Sequence, residues 1–450
     1  TGLTRTEAAL LWASLPKVDD YAADFLGKEL RTTLGLKQGD AKAARDTFRG
    51  VPFDARLDLF AAAASGGDPR ALFAPLAGGD DGPVARLAAA WVARSGQRVE
   101  LREELVVACE KALDFPHSAA VILGALMSPT EAKCLAARAE YGVAAAFAWQ
   151  KPKPEDGFDH WVARSVAQLV PWLFTELPVG DPYRAALRGL WEVVRARLLD
   201  PKLVAPLESR WGEPKELVAA IDALGGDAIS DPSIQHGRDN GLVRAELHTN
   251  TLRSVFRPSK VKRYADEPAL VKMASAGNAG ALAAIAFLLE AVPAFLDRVD
   301  STPVPAGQYE ANPALSAPAT VAAAKKKLRL ADGAAALYVQ VLTLAEPTQK
   351  NVILWNGWKP AEYKKAAEAL AVEKLVVVGK RERAGREIFL PGGWEKRGGN
   401  DLPLETWKLP LYELAHGSIG RLLPPKPLHV LFGEAWARVE KGDAPKYEEV

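Results

Sequence analysis

Apolar residues recur three and four positions apart through most of this chain, the spacing of helices with one buried face. Tyr183, Leu187, Leu190, Trp191, Val194 and Leu198 form one such stripe. Ala8, Leu11, Trp12 and Leu15 form another, behind the capping box Thr4-Arg5-Thr6-Glu7. Ser128-Pro129-Thr130-Glu131 and the pairs Asp68-Pro69, Asp181-Pro182, Asp200-Pro201 and Asp231-Pro232 have the form of helix starts. Residues 51–300 therefore predict a succession of helices. They make either a compact body or an irregular helical-repeat array, because the starts keep no fixed period. Trp91, Trp149, Trp161, Trp172 and Trp191 fall in these patterns and predict its core. Ala279–Leu289 is the longest apolar run; it is too short to span a bilayer and predicts a helix buried on all sides.

The pattern changes after residue 330. Leu337, Tyr338, Val341 and Leu342 predict a helix over Ala334–Leu344. Thr348 caps a second, short helix ending at Trp355-Asn356-Gly357, and Pro360 opens a third with Tyr363, Ala366, Ala367 and Leu370 as its stripe. Leu375–Val378 and Arg386–Leu390 then read as two strands around the loop Gly379–Gly385. Trp355 and Trp358 predict anchors between the helices rather than platforms for bases.

Three helices followed by a hairpin with a basic tip resemble the winged-helix branch of the helix-turn-helix superfamily, over residues 331–391. The resemblance implies a recognition helix carrying Lys359, Lys364 and Lys365, and a wing carrying Lys380, Arg381, Arg383 and Arg386. Glu362 and Glu368 share the outer face of that helix, which has no Asn, Gln or Arg for bidentate contacts to base edges. Such a face suits phosphates, or a protein, better than bases. Gly35–Asp46 partly echoes Gly357–Glu368, so 1–50 is a candidate degenerate helix-turn-helix, without a wing.

Charge sharpens this picture. The chain of 450 residues carries 57 Lys and Arg against 56 Asp and Glu. Residues 325–397 hold 15 cations and 8 anions, so that segment is +7 and the remainder −6. A basic footprint on a neutral chain is what a nucleic-acid contact predicts. Arg253, Arg257, Lys260, Lys262 and Arg263, with Phe256 and Tyr264 among them, form a secondary basic patch. The expected organisation is a mainly α protein: 1–50, a helical body over 51–300, a Pro/Ala-rich linker over 301–320, a winged-helix domain over 321–397, and a C-terminal segment over 398–450 ending in a helix.

Chemistry is harder to find. The six histidines form no ligand pair, and Walker and dinucleotide fingerprints are missing. Gly417-Ser418-Ile419-Gly420 lacks the nucleophile-elbow spacing. His236, Asp239 and His248 are the nearest approach to a polar cluster. No catalytic residue, metal or cofactor is expected. Cys109 and Cys134 read as core residues in a reducing cytoplasm, with a disulfide as the alternative. Thr1 in place of Met implies processing or a fragment of a larger protein. The expectation is a non-enzymatic, DNA-associated protein of the bacterial regulatory type, its partner duplex DNA. The alternatives are a scaffold whose winged helix docks a protein, and an unrecognised enzyme or effector. No membrane partner is expected.

Overall fold

The computed structural model describes residues 83–95, 99–113, 118–138, 142–147, 157–267, 270, 279–382, 384–395, 404–413 and 422–446, with Thr32 and a few positions between 55 and 62. The expected helix-turn-helix of 1–50, Asp68-Pro69, Trp149 and Arg383 lie outside the described residues. The described chain is mainly α. It divides into two compact units, Thr1–Cys134 with Lys153–Glu155, and Leu135–Pro152 with Asp156–Val450.

The first unit contains α1 (Pro83–Ser95), α2 (Glu103–Ala112) and α3 (Ala119–Met127). Ser118 caps α3 by accepting the Val121 amide, and Ile122, Leu123 and Leu126 are buried behind it. Cys109 and Cys134 are buried and form no disulfide with each other, as the apolar pattern around them predicts. Ser128 does not start a helix. It ends α3, and Pro129–Glu131 forms a turn closed by the Glu131 amide on the Ser128 carbonyl.

The second unit begins with a helical layer. Asp159 caps α4 (His160–Glu176) by accepting the amides of Trp161 and Val162, and Arg138 holds the same carboxylate at 2.8 Å. Asp181 accepts the Tyr183 amide ahead of α5 (Leu187–Leu198), whose stripe Leu187, Leu190, Val194 and Leu198 is fully buried.

The next segment departs from the helical expectation. Five antiparallel strands lie between Ala205 and Phe256: β1 (Ala205–Trp211), β2 (Asp227–Ala228), β3 (His236–Asp239), β4 (Val243–His248) and β5 (Thr251–Phe256), in the order β1-β5-β4-β3-β2. Leu217 and Ile221 of α6 (Pro214–Asp222) pack on Ala245, Leu247 and Leu252. Asp200-Pro201 and Asp231-Pro232 are turns in which the carboxylate accepts the amide two residues on. That local bond serves a turn as well as a helix start, so the Asp-Pro pair alone does not choose between them.

The long apolar run forms α7 (Ala279–Ala286), which passes through a π turn at Phe287–Ala291 into α8 (Val292–Asp300). Nε1 of Trp191 donates to the Leu288 carbonyl inside that π turn at 2.8 Å. The whole helix, Gly280–Asp300, is long and apolar enough to cross a membrane, unlike the shorter run read from sequence. It packs against α4, and Ala281–Leu288 is buried throughout.

Residues 301–320 do not form the expected free linker. Val304, Glu310, Ala311, Asn312 and Pro313 are buried. Glu310 takes Arg184 and Arg298, each at 3.2 Å, and Thr302 donates to it as well. A buried carboxylate between two guanidiniums ties this segment to the helical layer. It leads into α9 (Pro318–Leu328) and the last elements: α10 (Asp332–Thr343), α11 (Gln349–Asn356), α12 (Pro360–Val372), the strand pairs β6 (Val377–Val378) with β7 (Ile388–Phe389) and β8 (Trp394–Glu395) with β9 (Leu404–Glu405), and α13 (Leu428–Glu440).

Candidate nucleic-acid interface

Helix α10 is the core of this region, with Ala334 to Thr343 all buried. Its Gln340 is fully buried and meets Asn356 of α11 in a reciprocal amide pair, with bonds of 2.9 and 3.2 Å. Gln340 also donates to the Ala311 carbonyl at 2.8 Å. Thr348 caps α11 by accepting the Asn351 amide. Gly357 ends the helix in the left-handed region at φ 63°, where a side chain is disfavoured. The chain then turns through Trp358 into α12, where Oε2 of Glu362 accepts the Lys359 amide at 2.7 Å.

Tyr363, Ala366 and Leu370 fix which face of α12 is buried. Burial also pushes the Tyr363 phenol up to about 12. The outward face carries Lys364, Lys365, Glu368 and Val372. Lys364 and Glu368 are 78% and 64% exposed and lie 3.9 Å apart, one helical turn removed. Lys359 and Lys380 are also exposed. Trp355 is buried between the helices, while Trp358 is half-buried.

The hairpin divides its cations. Lys380 faces solvent, but Arg381 lies over the rings of Trp394 and Phe389, at 4.3 and 4.9 Å from their centres. Arg386 corrects the sequence reading most sharply. It is buried, and its Nη2 donates to Glu405 of β9 at 2.7 Å. Nζ of Lys408 lies 3.0 Å from the same carboxylate and donates to the Leu344 carbonyl at 2.8 Å. Burial alone would raise the Glu405 carboxyl, but the charges of Lys408 and Arg386 outweigh it and leave it at about 2. Lys408 has the opposite fate. Burial, with the nearby charge of Arg386, brings the amine down to about 8 against the pull of Glu405. Arg386 therefore anchors the hairpin to the C-terminal segment and is no surface contact.

The secondary patch also separates in space. Arg257 makes a two-pronged pair with Asp239 at 2.7 and 2.9 Å, and Arg253 sits over Phe147. Phe256 and Tyr264 are buried against each other edge to face, so they offer no surface to bases. Lys260, Lys262 and Arg263 remain exposed, the last beside Asp266. His236, Asp239 and His248 do not converge: His236 pairs with Asp222, Asp239 with Arg257, and His248 with Glu246. Among the described residues no three His, Cys, Asp or Glu side chains gather as they would around a metal ion.

Lys325, Lys326 and Lys327 close α9, and two of the three are engaged within the fold. Lys325 pairs with Asp332 at 2.7 Å, and Lys327 reaches the last carbonyls of α13 and the ring of Trp436. The C-terminal segment packs on α9 and α10 through α13 and Lys408, and leaves the outward face of α12 exposed. No family model, curated protein or solved structure matches this chain.

Proposed function

We propose that α10 to α12 and the β6–β7 hairpin act as a winged helix that holds duplex DNA by its phosphates. The observation that carries this reading is the outward face of α12, exposed along its length and bearing Lys364 and Lys365, with Lys359 at its start. Lys380 at the hairpin adds a fourth exposed cation. Glu362, which caps the helix, and Glu368 are the opposing charges on that face. The absence of base-reading side chains makes the contact insensitive to sequence.

Four phosphate contacts predict that log K falls with log salt at a slope of about −3 to −4. An electrophoretic or anisotropy titration of the full chain with several unrelated duplexes should show that slope and similar affinities. Replacing Lys359, Lys364, Lys365 and Lys380 by Ala should remove both binding and slope. Duplex binding unaffected by the four replacements would refute the assignment.

A second reading has its own observation. Leu354, Val372 and Val378 are exposed large apolar residues on α11, α12 and β6. They favour a protein on this surface. In that case the lysine variant would keep a stoichiometric partner that Leu354→Asp and Val378→Asp lose.

A further inference from the structure

A groove of about 550 Å³ opens between α9 and α10, with Trp358 from the turn before α12 at one side. Its size falls in the range that holds small organic ligands. The groove stays open because the positions facing it are small. Ala322 comes from α9, and Gly333 and Ala336 from α10. A Cβ on Gly333 would stand 3.7 Å from Cζ2 of the Trp358 ring, so any longer side chain there would fill the space beside the indole. Val321 and Pro318 extend the apolar lining.

The polar groups are few and unevenly matched. Lys325 and Asp332 neutralise each other at 2.7 Å. Lys326 is exposed on the same rim and makes no ion pair among the described residues. The half-buried Trp358 side chain has no hydrogen-bond partner there either, which leaves an indole N–H available as a donor. The charge of the groove is therefore +1, and it offers an aromatic face, an aliphatic floor and one free cation.

We propose that this groove binds a small organic anion: a flat aromatic body bearing a single carboxylate. The body lies against Trp358 and the alanine floor, and the carboxylate meets Lys326. Neither contact depends on the DNA reading, since none of the four lysines assigned to phosphates lines the groove.

The test uses 2-naphthoate as the probe and its neutral counterpart 2-naphthalenemethanol, titrated calorimetrically into the full chain. Expected is saturable binding of one naphthoate per chain, with the alcohol weaker by about tenfold. Lys326→Glu should weaken naphthoate by at least about tenfold, since attraction becomes repulsion. Ala322→Phe, at an exposed helical position, should abolish binding by filling the groove. Both variants are expected to unfold at the temperature of the parent, which separates loss of the site from loss of the fold. No saturable naphthoate binding, binding that survives Ala322→Phe, or equal affinity for the alcohol would each overturn the proposal.

Discussion

Two side chains that look alike in sequence, Lys380 and Arg386, behave as opposites. Lys380 is solvated, and its replacement by Ala should change stability by no more than about 0.5 kcal/mol. Arg386 shares a buried carboxylate with Lys408. Arg386→Ala leaves Glu405 short of a partner and should cost about 3–5 kcal/mol, read as a lower denaturant midpoint. Acid should unfold the protein through two identifiable groups. His160 is buried beside Arg164 and Arg138, and burial, with those charges, lowers it to about 3. Its unfolded value is about 6.5, so the unfolded chain takes up a proton first. Stability from neutral His160 is therefore complete above pH ~6.5 and declines towards pH ~3. Glu405 adds a second loss, from about pH 4.5 down to its folded value of about 2. Denaturation midpoints across pH 7 to 3 should fall less steeply in His160→Gln than in the parent. Parallel curves would remove His160 from the account.

At the level of elements, capping residues and apolar periodicity carried most of what could be read. Thr348, Gly357 and Pro360 mark the ends of α11 and the start of α12 because their preferences are local. Gly357→Ala should cost about 1 kcal/mol, since φ 63° penalises a Cβ; an unchanged melting temperature would contradict that. The sheet was equally present in the letters. Val243-Arg244-Ala245-Glu246-Leu247-His248 alternates with period two, and Asn240-Gly241 before it is a strong hairpin signal. The reading of 51–300 as a succession of helices passed over that alternation, and Arg257 finds its anion on β3, 18 residues back. The same limit applied to Arg386. Its partner lies 19 residues on, and no spacing rule announces such a pair. The outward face of α12 was legible because helix geometry fixes it. The groove was not, because it is made by two helices and a turn that meet only in the fold.

Across the whole second unit, distant segments complete one another. Arg184 meets Glu310 over 126 residues, and Lys327 meets the end of α13 over more than a hundred. A chain ending at residue 397 lacks Glu405, Lys408, Tyr412 and α13. It should lose cooperative unfolding of α10 to α12, visible as a broadened thermal transition and exposed tryptophan; a sharp transition at the parental temperature would contradict this. Those last contacts also impose an order in time. The Thr343 carbonyl waits for the hydroxyl of Tyr412, 69 residues later, and Leu344 waits for Lys408. At synthesis rates of roughly 5–20 residues per second, that gap is roughly 3–14 s. Throughout it the nascent α10 has α9, and then α12, against it but lacks the cover of the C-terminal segment. The α10 face reserved for that segment is then open to aggregation during this interval, and a pause between the codons for Thr343 and Tyr412 would lengthen it.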